Sequence, residues 1–180
     1  MDNVNWGIIG CGNVTEKKSG QAYNKIHNSK LVAVMRRNAA KAADYAARHN
    51  VSRWYDDADK LLSDVEVNAV SVATPPAFHL KYAIAALKKG LGVYVEKPVT
   101  RNAQEAQAMA DAVKQYNGKL TVAHYRRALP MFLYIKELLD NQTIGDVRTV
   151  QIRMWKSLRP DLIASSESNW RVLPELSGGG

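Results

Sequence analysis

Two glycines near the N-terminus and two arginines further along give the first chemical signal. Gly10-Cys11-Gly12-Asn13-Val14-Thr15 follows an apolar run, Val4–Gly10, and opens a helical stretch. There Gly10 lets the chain turn sharply, and Gly12 removes the side chain that would keep a pyrophosphate from backbone N–H groups. A helix N-terminus adds oriented donors and a partial positive charge. The spacing points to a dinucleotide site at Gly10, Cys11, Gly12, Asn13 and Val14, with a purely structural turn as the alternative. Thr15 replaces the third glycine or alanine of the fingerprint, which predicts a slightly looser helix–strand contact.

Arg36 stands 24 residues beyond Gly12, at the end of a second apolar run, Leu31–Met35, with Arg37 beside it. An NAD site usually places a carboxylate here to accept from the ribose 2′-hydroxyl. A guanidinium has no acceptor to offer, but it grips a 2′-phosphate through paired charge-assisted bonds. Arg36 and Arg37 therefore favour NADP, with NAD possible and two solvated surface charges as the alternative reading. Cys11 sits where a helix N-terminus lowers a thiol pKa; a small residue filling the loop is the simpler account. His27, His49 and His124 show no metal-ligand spacing.

These residues need a scaffold, and the apolar pattern supplies one. Val4–Gly10, Leu31–Met35, Ala69–Ala73, Leu91–Val95 and Lys119–Ala123 read as strands. Their unbroken apolar character suits a parallel sheet buried on both faces. Asn38 is placed to cap a helix over Ala39–His49. Phe78 and Tyr82 share one face of a helix ending at Lys88-Lys89-Gly90. Asn102 and Glu105 form a capping-box pattern for a helix reaching about Tyr116. Strand–helix alternation of this kind predicts a doubly wound α/β fold. Past Ala128, Pro130 opens a helix over Met131–Asp140, and the alternating Val147–Trp155 run predicts a half-buried strand. The tryptophans Trp6, Trp54 and Trp155 are expected in a core or an interface.

The composition, 46% hydrophobic and 23% charged, is that of a globular chain. A single cysteine excludes an internal disulfide and fits a reducing, cytoplasmic setting. No apolar run reaches the ~20 residues of a membrane span. The net charge of +8 is dispersed, with no arginine-rich arm or aromatic-interleaved basic helix, so nucleic acid is not the expected partner.

Glu96-Lys97-Pro98 directly follows the Leu91–Val95 run, and Ala73-Thr74-Pro75-Pro76 with His79 follows Ala69–Ala73. Together with the N-terminal Gly-x-Gly, Trp170-Arg171 and Ser177-Gly178-Gly179-Gly180, they closely resemble the glucose–fructose oxidoreductase and inositol dehydrogenase family, Gfo/Idh/MocA. The resemblance implies a Rossmann domain over residues 1–124, then the start of an α+β substrate domain over 125–180, whose open sheet commonly mediates oligomerisation. It also implies that the chain breaks off before an Asp-x-x-x-His element that contributes to catalysis, so turnover by these 180 residues alone is not expected.

By the same resemblance, Thr74, Pro75, Pro76 and His79 line the nicotinamide side of the cofactor. Glu96 and Lys97 meet nicotinamide and substrate, and Trp170-Arg171 reaches back to the cofactor. Arg127 falls near the substrate pocket, although His124-Tyr125 departs from the asparagine common there. The implied reaction is hydride exchange between NADP and a sugar, polyol or related carbonyl. Lys97, partly desolvated beside a cationic ring and so lowered in pKa, is the acid–base residue; a fixed charge polarising a carbonyl is its alternative role. Glu96 is expected to hold the lysine in place. A non-catalytic dinucleotide-binding regulator is the rival reading, and retention of Lys97 argues against it.

Overall fold

The computed structural model describes residues 3–155 and 170–178. They fall into two units, one of residues up to Ala123 together with 170–178, the other starting at His124. The expected division into 1–124 and 125–180 is thus corrected at its far end, because 170–178 belongs to the first unit.

The first unit is a six-stranded parallel sheet in the order β3-β2-β1-β4-β5-β6. Its strands are β1 (Val4–Ile9), β2 (Ser29–Met35), β3 (Arg53–Tyr55), β4 (Ala69–Val72), β5 (Gly92–Val95) and β6 (Leu120–Val122). Alternation along the strands sends neighbouring residues to opposite faces. Ile8 packs with Leu31, Val34, Tyr23 and Tyr45 on one side. Ile9 packs with Val70, Val72, Leu61, Leu87 and Met109 on the other. The first face is covered by α1 (Ala39–Arg48) and the turn before β2; the second by α2 (Ala58–Leu62), α3 (His79–Lys88) and α4 (Ala103–Gln115). Ile8, Ile9, Val34, Val70, Val72 and Val95 are fully buried. At roughly 1.5–3 kcal/mol per side chain, such burial is the main force behind the layered fold.

Local signals set the helix ends. The Asn38 side chain accepts from the Lys41 N–H at 3.0 Å, and Asn102 accepts from the Glu105 N–H at 2.9 Å. The expected capping box is half made, because Glu105 reaches back to the N–H of Arg101 at 3.1 Å. β3 and α2 were not expected from the sequence. β3 is a three-residue edge strand whose Trp54 is exposed, so Trp54 is not a core residue.

The second unit, among its described residues, holds a 3-10 turn (Tyr125–Ala128) and α5 (Pro130–Asp140). The expected strand over Val147–Trp155 is absent: these residues form no ladder and are exposed, Trp155 included. A lone alternating segment has no neighbour to take its N–H and C=O groups, and a strand needs one. No described helix is long and apolar enough to cross a membrane.

Candidate functional site

The sheet order reverses at β1, with β2 on one side and β4 on the other. Open α/β sheets bind ligands at such a switch point, outside the carboxyl ends of the strands. A cleft of about 420 Å³ lies there, walled by Gly10–Val14 after β1, Met35–Asn38 after β2 and Ala73–Pro75 after β4. Phe78 and Tyr82 close one side of it, and Trp170 and Arg171 another.

The loop after β1 is fixed by its own hydrogen bonds. Gly10 has φ +93°, and a Cβ there would sit 2.8 Å from Thr74 Cγ2 and 3.0 Å from the Thr74 nitrogen. The N–H groups of Gly10 and Cys11 both donate to the Met35 carbonyl, at 2.9 and 3.1 Å. Gly12 donates to the Thr15 hydroxyl oxygen at 3.0 Å, and that hydroxyl donates to the Gly12 carbonyl at 2.9 Å. Of the loop residues that line the cleft, Asn13 and Val14 have backbone N–H groups with no acceptor among the described residues. A Cβ on Gly12 would meet nothing closer than the Gly10 carbonyl oxygen at 3.8 Å. This open space suits an extended diphosphate.

Two expectations change here. Thr15 does not loosen the contact: it is fully buried and hydrogen-bonded. The expected first helix is a π turn (Thr15–Ser19) running into a 3-10 turn (Gly20–Asn24). Cys11 is fully buried, and burial pushes its thiol up to about 11 despite the opposing charge of Arg36. The loop-filling role accounts for it.

On the cleft walls the charge is of one sign. Arg36 Nη1 lies 3.4 Å from the Cys11 carbonyl, and the Arg37 guanidinium sits 5.3 Å from the Phe78 ring centroid. Arg171 lies over Trp170 at 4.5 Å. Among the residues that wall the cleft there are three arginines and no aspartate or glutamate. That is the electrostatics of an anion site. The residues present therefore fit a dinucleotide: an open diphosphate cradle at Gly12, free first-turn donors, and guanidiniums where a carboxylate would select the plain ribose.

Of the residues that the resemblance assigned to the cofactor, Thr74, Pro75, Trp170 and Arg171 do wall this cleft. Pro76 and His79 do not. Pro76 is buried, and His79 opens α3 with a ring 1% exposed. Its Nε2 lies 2.7 Å from the Thr74 carbonyl and its Nδ1 3.1 Å from those of Pro98 and Val99. A ring packed in this way has no face for a cofactor.

Glu96 and Lys97 lie on the turn after β5, outside the walls of the cleft. Lys97 is exposed, not desolvated as expected, and the peptide bond to Pro98 is cis. Glu96 meets the lysine's backbone N–H at 3.4 Å and not its ammonium. Arg127 is exposed in the 3-10 turn of the second unit. Phe78, Tyr82 and Asn38 are wall residues that sequence reasoning missed. The four-residue spacing of Phe78 and Tyr82 was visible as one shared helix face, with nothing in it to mark a cleft wall.

A family profile described as "Oxidoreductase family, NAD-binding Rossmann fold" matches residues 4–124. Over 177 residues the chain is 53% identical to "Oxidoreductase P35" of Formosa agariphila, covering 98% of this chain and 55% of that protein. It is 30% identical to "scyllo-inositol 2-dehydrogenase (NADP(+)) IolU" of Bacillus subtilis, covering 98% and 53%. Among solved structures, scyllo-inositol dehydrogenase from Lactobacillus casei with bound cofactor NAD(H) and scyllo-inositol superposes with a TM-score of 0.74 at 26% identity. That match covers 80% of this chain and 43% of that one. The chain thus spans about half the length of the curated relatives it matches.

Proposed function

The chain belongs to the Gfo/Idh/MocA oxidoreductase family and carries its NAD-binding Rossmann domain, and from that premise we propose an NADP-preferring dehydrogenase or reductase acting on a sugar, polyol or related carbonyl compound. The observation that carries the cofactor choice is the acid-free cleft with Arg36 and Arg37 after β2. No carboxylate there accepts from a 2′-hydroxyl, while two guanidiniums stand ready for a 2′-phosphate. The inositol dehydrogenases among the relatives support the substrate class.

In this reading the Asn13 and Val14 N–H groups hold the diphosphate over Gly12. Arg36 and Arg37 hold the ribose phosphate, and Trp170-Arg171 covers the cleft. The nicotinamide, when bound, supplies or accepts the hydride. Lys97 gives a proton to the substrate oxygen during reduction and takes it back during oxidation. Its ammonium has no partner among the described residues, so it is free to serve this role. Arg127 is the proposed substrate contact, and a homo-oligomer built through a further sheet domain is the proposed assembly.

Calorimetric titration of the chain with NADPH and NADH tests the cofactor choice. At roughly 1.5–3 kcal/mol for a charged hydrogen bond, NADPH should bind about ten- to a hundredfold more tightly, and Arg36→Ala should erase most of that margin. Equal affinities in the wild type, unchanged by the substitution, would refute the reading.

A further inference from the structure

His79 faces two turns at once, and both offer its ring acceptors alone. Nε2 lies 2.7 Å from the carbonyl of Thr74, at the wall of the cleft. Nδ1 lies 3.1 Å from each of two carbonyls, Pro98 and Val99, on the turn that carries Lys97. A neutral imidazole has one N–H and one lone pair. Either tautomer therefore points a lone pair at a carbonyl oxygen and holds only one of the two turns. The imidazolium donates at both nitrogens and holds the two together.

We propose that His79 is a positioning residue that clasps the Lys97 turn to the Thr74 turn, and that the clasp is complete only when both ring nitrogens carry protons. This rests on the reading of Lys97 as the proton-transfer residue. The Thr74–Phe78 segment brings no titratable side chain to the ring. The other turn brings Glu96, whose charge favours the imidazolium, and the exposed Lys97. α3 itself carries Lys81 and Tyr82, and Glu175 lies on the short helix Pro174–Ser177, which packs against Pro76–Phe78. Burial outweighs the carbonyls and Glu96 and draws the ring below its usual 6.5. The second proton is therefore taken up on the acid side of neutrality. By linkage, whatever presses the two turns together must raise the affinity for that proton.

Nitrogen-15 NMR of the chain with labelled histidine reads both halves of the proposal. On acidification both His79 nitrogens should become protonated, and the amide signals of Thr74, Lys97 and Val99 should move with the same midpoint. A ring that takes its second proton while neither turn responds would overturn the clasp. His79→Gln can donate toward one side only, so it should abolish the concerted shift while the rest of the spectrum stays native. Should that variant not fold, the wild-type titration decides by itself. On a chain of the relatives' full length, His79→Gln should lower kcat by about a hundredfold, the scale of a misplaced reacting group. It should leave NADPH affinity within about twofold, since the ring does not itself line the cleft and reaches it only through the Thr74 backbone carbonyl. Affinity lost in step with kcat would also overturn it. If Lys97→Ala leaves turnover intact while the concerted shift persists, the Lys97 reading fails and the clasp stands as a structural tie.

Discussion

Gly10 and Gly12 belong to one sequence signature, yet the structure assigns them opposite liabilities, and alanine at each separates the two. At Gly10 the backbone has φ +93°, which costs an L-residue roughly 1–2 kcal/mol. The new methyl would also lie 2.8 Å from Thr74 Cγ2, 3.0 Å from the Thr74 nitrogen and 3.1 Å from the Ala73 carbonyl carbon. The Thr74 methyl can rotate away, but the backbone cannot retreat freely, because the Ala73 N–H donates to Ile9 at 2.9 Å. Overpacking of this kind costs about 1–3 kcal/mol. Together Gly10→Ala should lose about 2–5 kcal/mol, a large share of a domain's usual 5–15. At Gly12 the methyl meets nothing within 3.8 Å, so stability should stay within about 0.5 kcal/mol. That methyl instead fills the space meant for the diphosphate, and NADPH affinity should fall on the order of a hundredfold. Urea unfolding measures the first effect and calorimetry the second. If Gly12→Ala bound NADPH as the wild type does, or Gly10→Ala unfolded at the wild-type midpoint, the assignment of the two roles would be wrong.

Two further expectations follow from titrating groups. Glu16 accepts from Arg48, the last residue of α1, and from His49 just after it, and the Arg48 guanidinium foremost holds its carboxyl down to about 2 from an ordinary 4.5. A carboxyl lowered on folding stabilises the fold above its unfolded pKa and ceases to as pH falls through the folded one. The urea midpoint should therefore drop between pH 4.5 and about 2, and Arg48→Ala should flatten that part of the curve; an unchanged acid limb in the variant would count against the pair. The Cys11 thiol, raised from 9.0 to about 11, should react with iodoacetamide at pH 8 on the order of a hundredfold more slowly than the unfolded chain, from thiolate fraction alone. Rapid labelling of the folded protein would contradict its burial.

What could be read from the sequence was whatever depends on local pattern. Five strands were visible because each is an apolar run of a type that only a two-sided sheet needs. Asn38 and Asn102 were visible as caps because a helix start satisfies its N–H groups from the nearest side chain. β3 was missed because Arg53-Trp54-Tyr55 is short and polar at its edge, and pairs only through β2. The Val147–Trp155 run was misread for the converse reason: alternation states which face a strand would bury, not whether a neighbour exists. The resemblance set His79 beside the cofactor, whereas its ring partners include residues 19 and 20 further along the chain. A motif names that histidine, but only the meeting of two turns shows that its nitrogens are spent on backbone.

The loop after β1 shows why a fingerprint position and a fingerprint role can part company. A third glycine lets the helix approach the strand closely; here that position is Thr15, and the tight packing at Gly20 is against Tyr45 of α1 and the turn's own backbone. A Cβ on Gly20 would collide with the Tyr45 hydroxyl and the Thr15 carbonyl oxygen. The Gly20 N–H bonds back to that same carbonyl, five residues earlier, which is the wide turn of a π helix. Widening the turn makes room for the threonine side chain. Its hydroxyl then occupies the Gly12 N–H, so the donors available to an anion move on to Asn13 and Val14. Counting glycines thus finds the loop. Finding which nitrogens meet the phosphate requires following every hydrogen bond that the threonine makes.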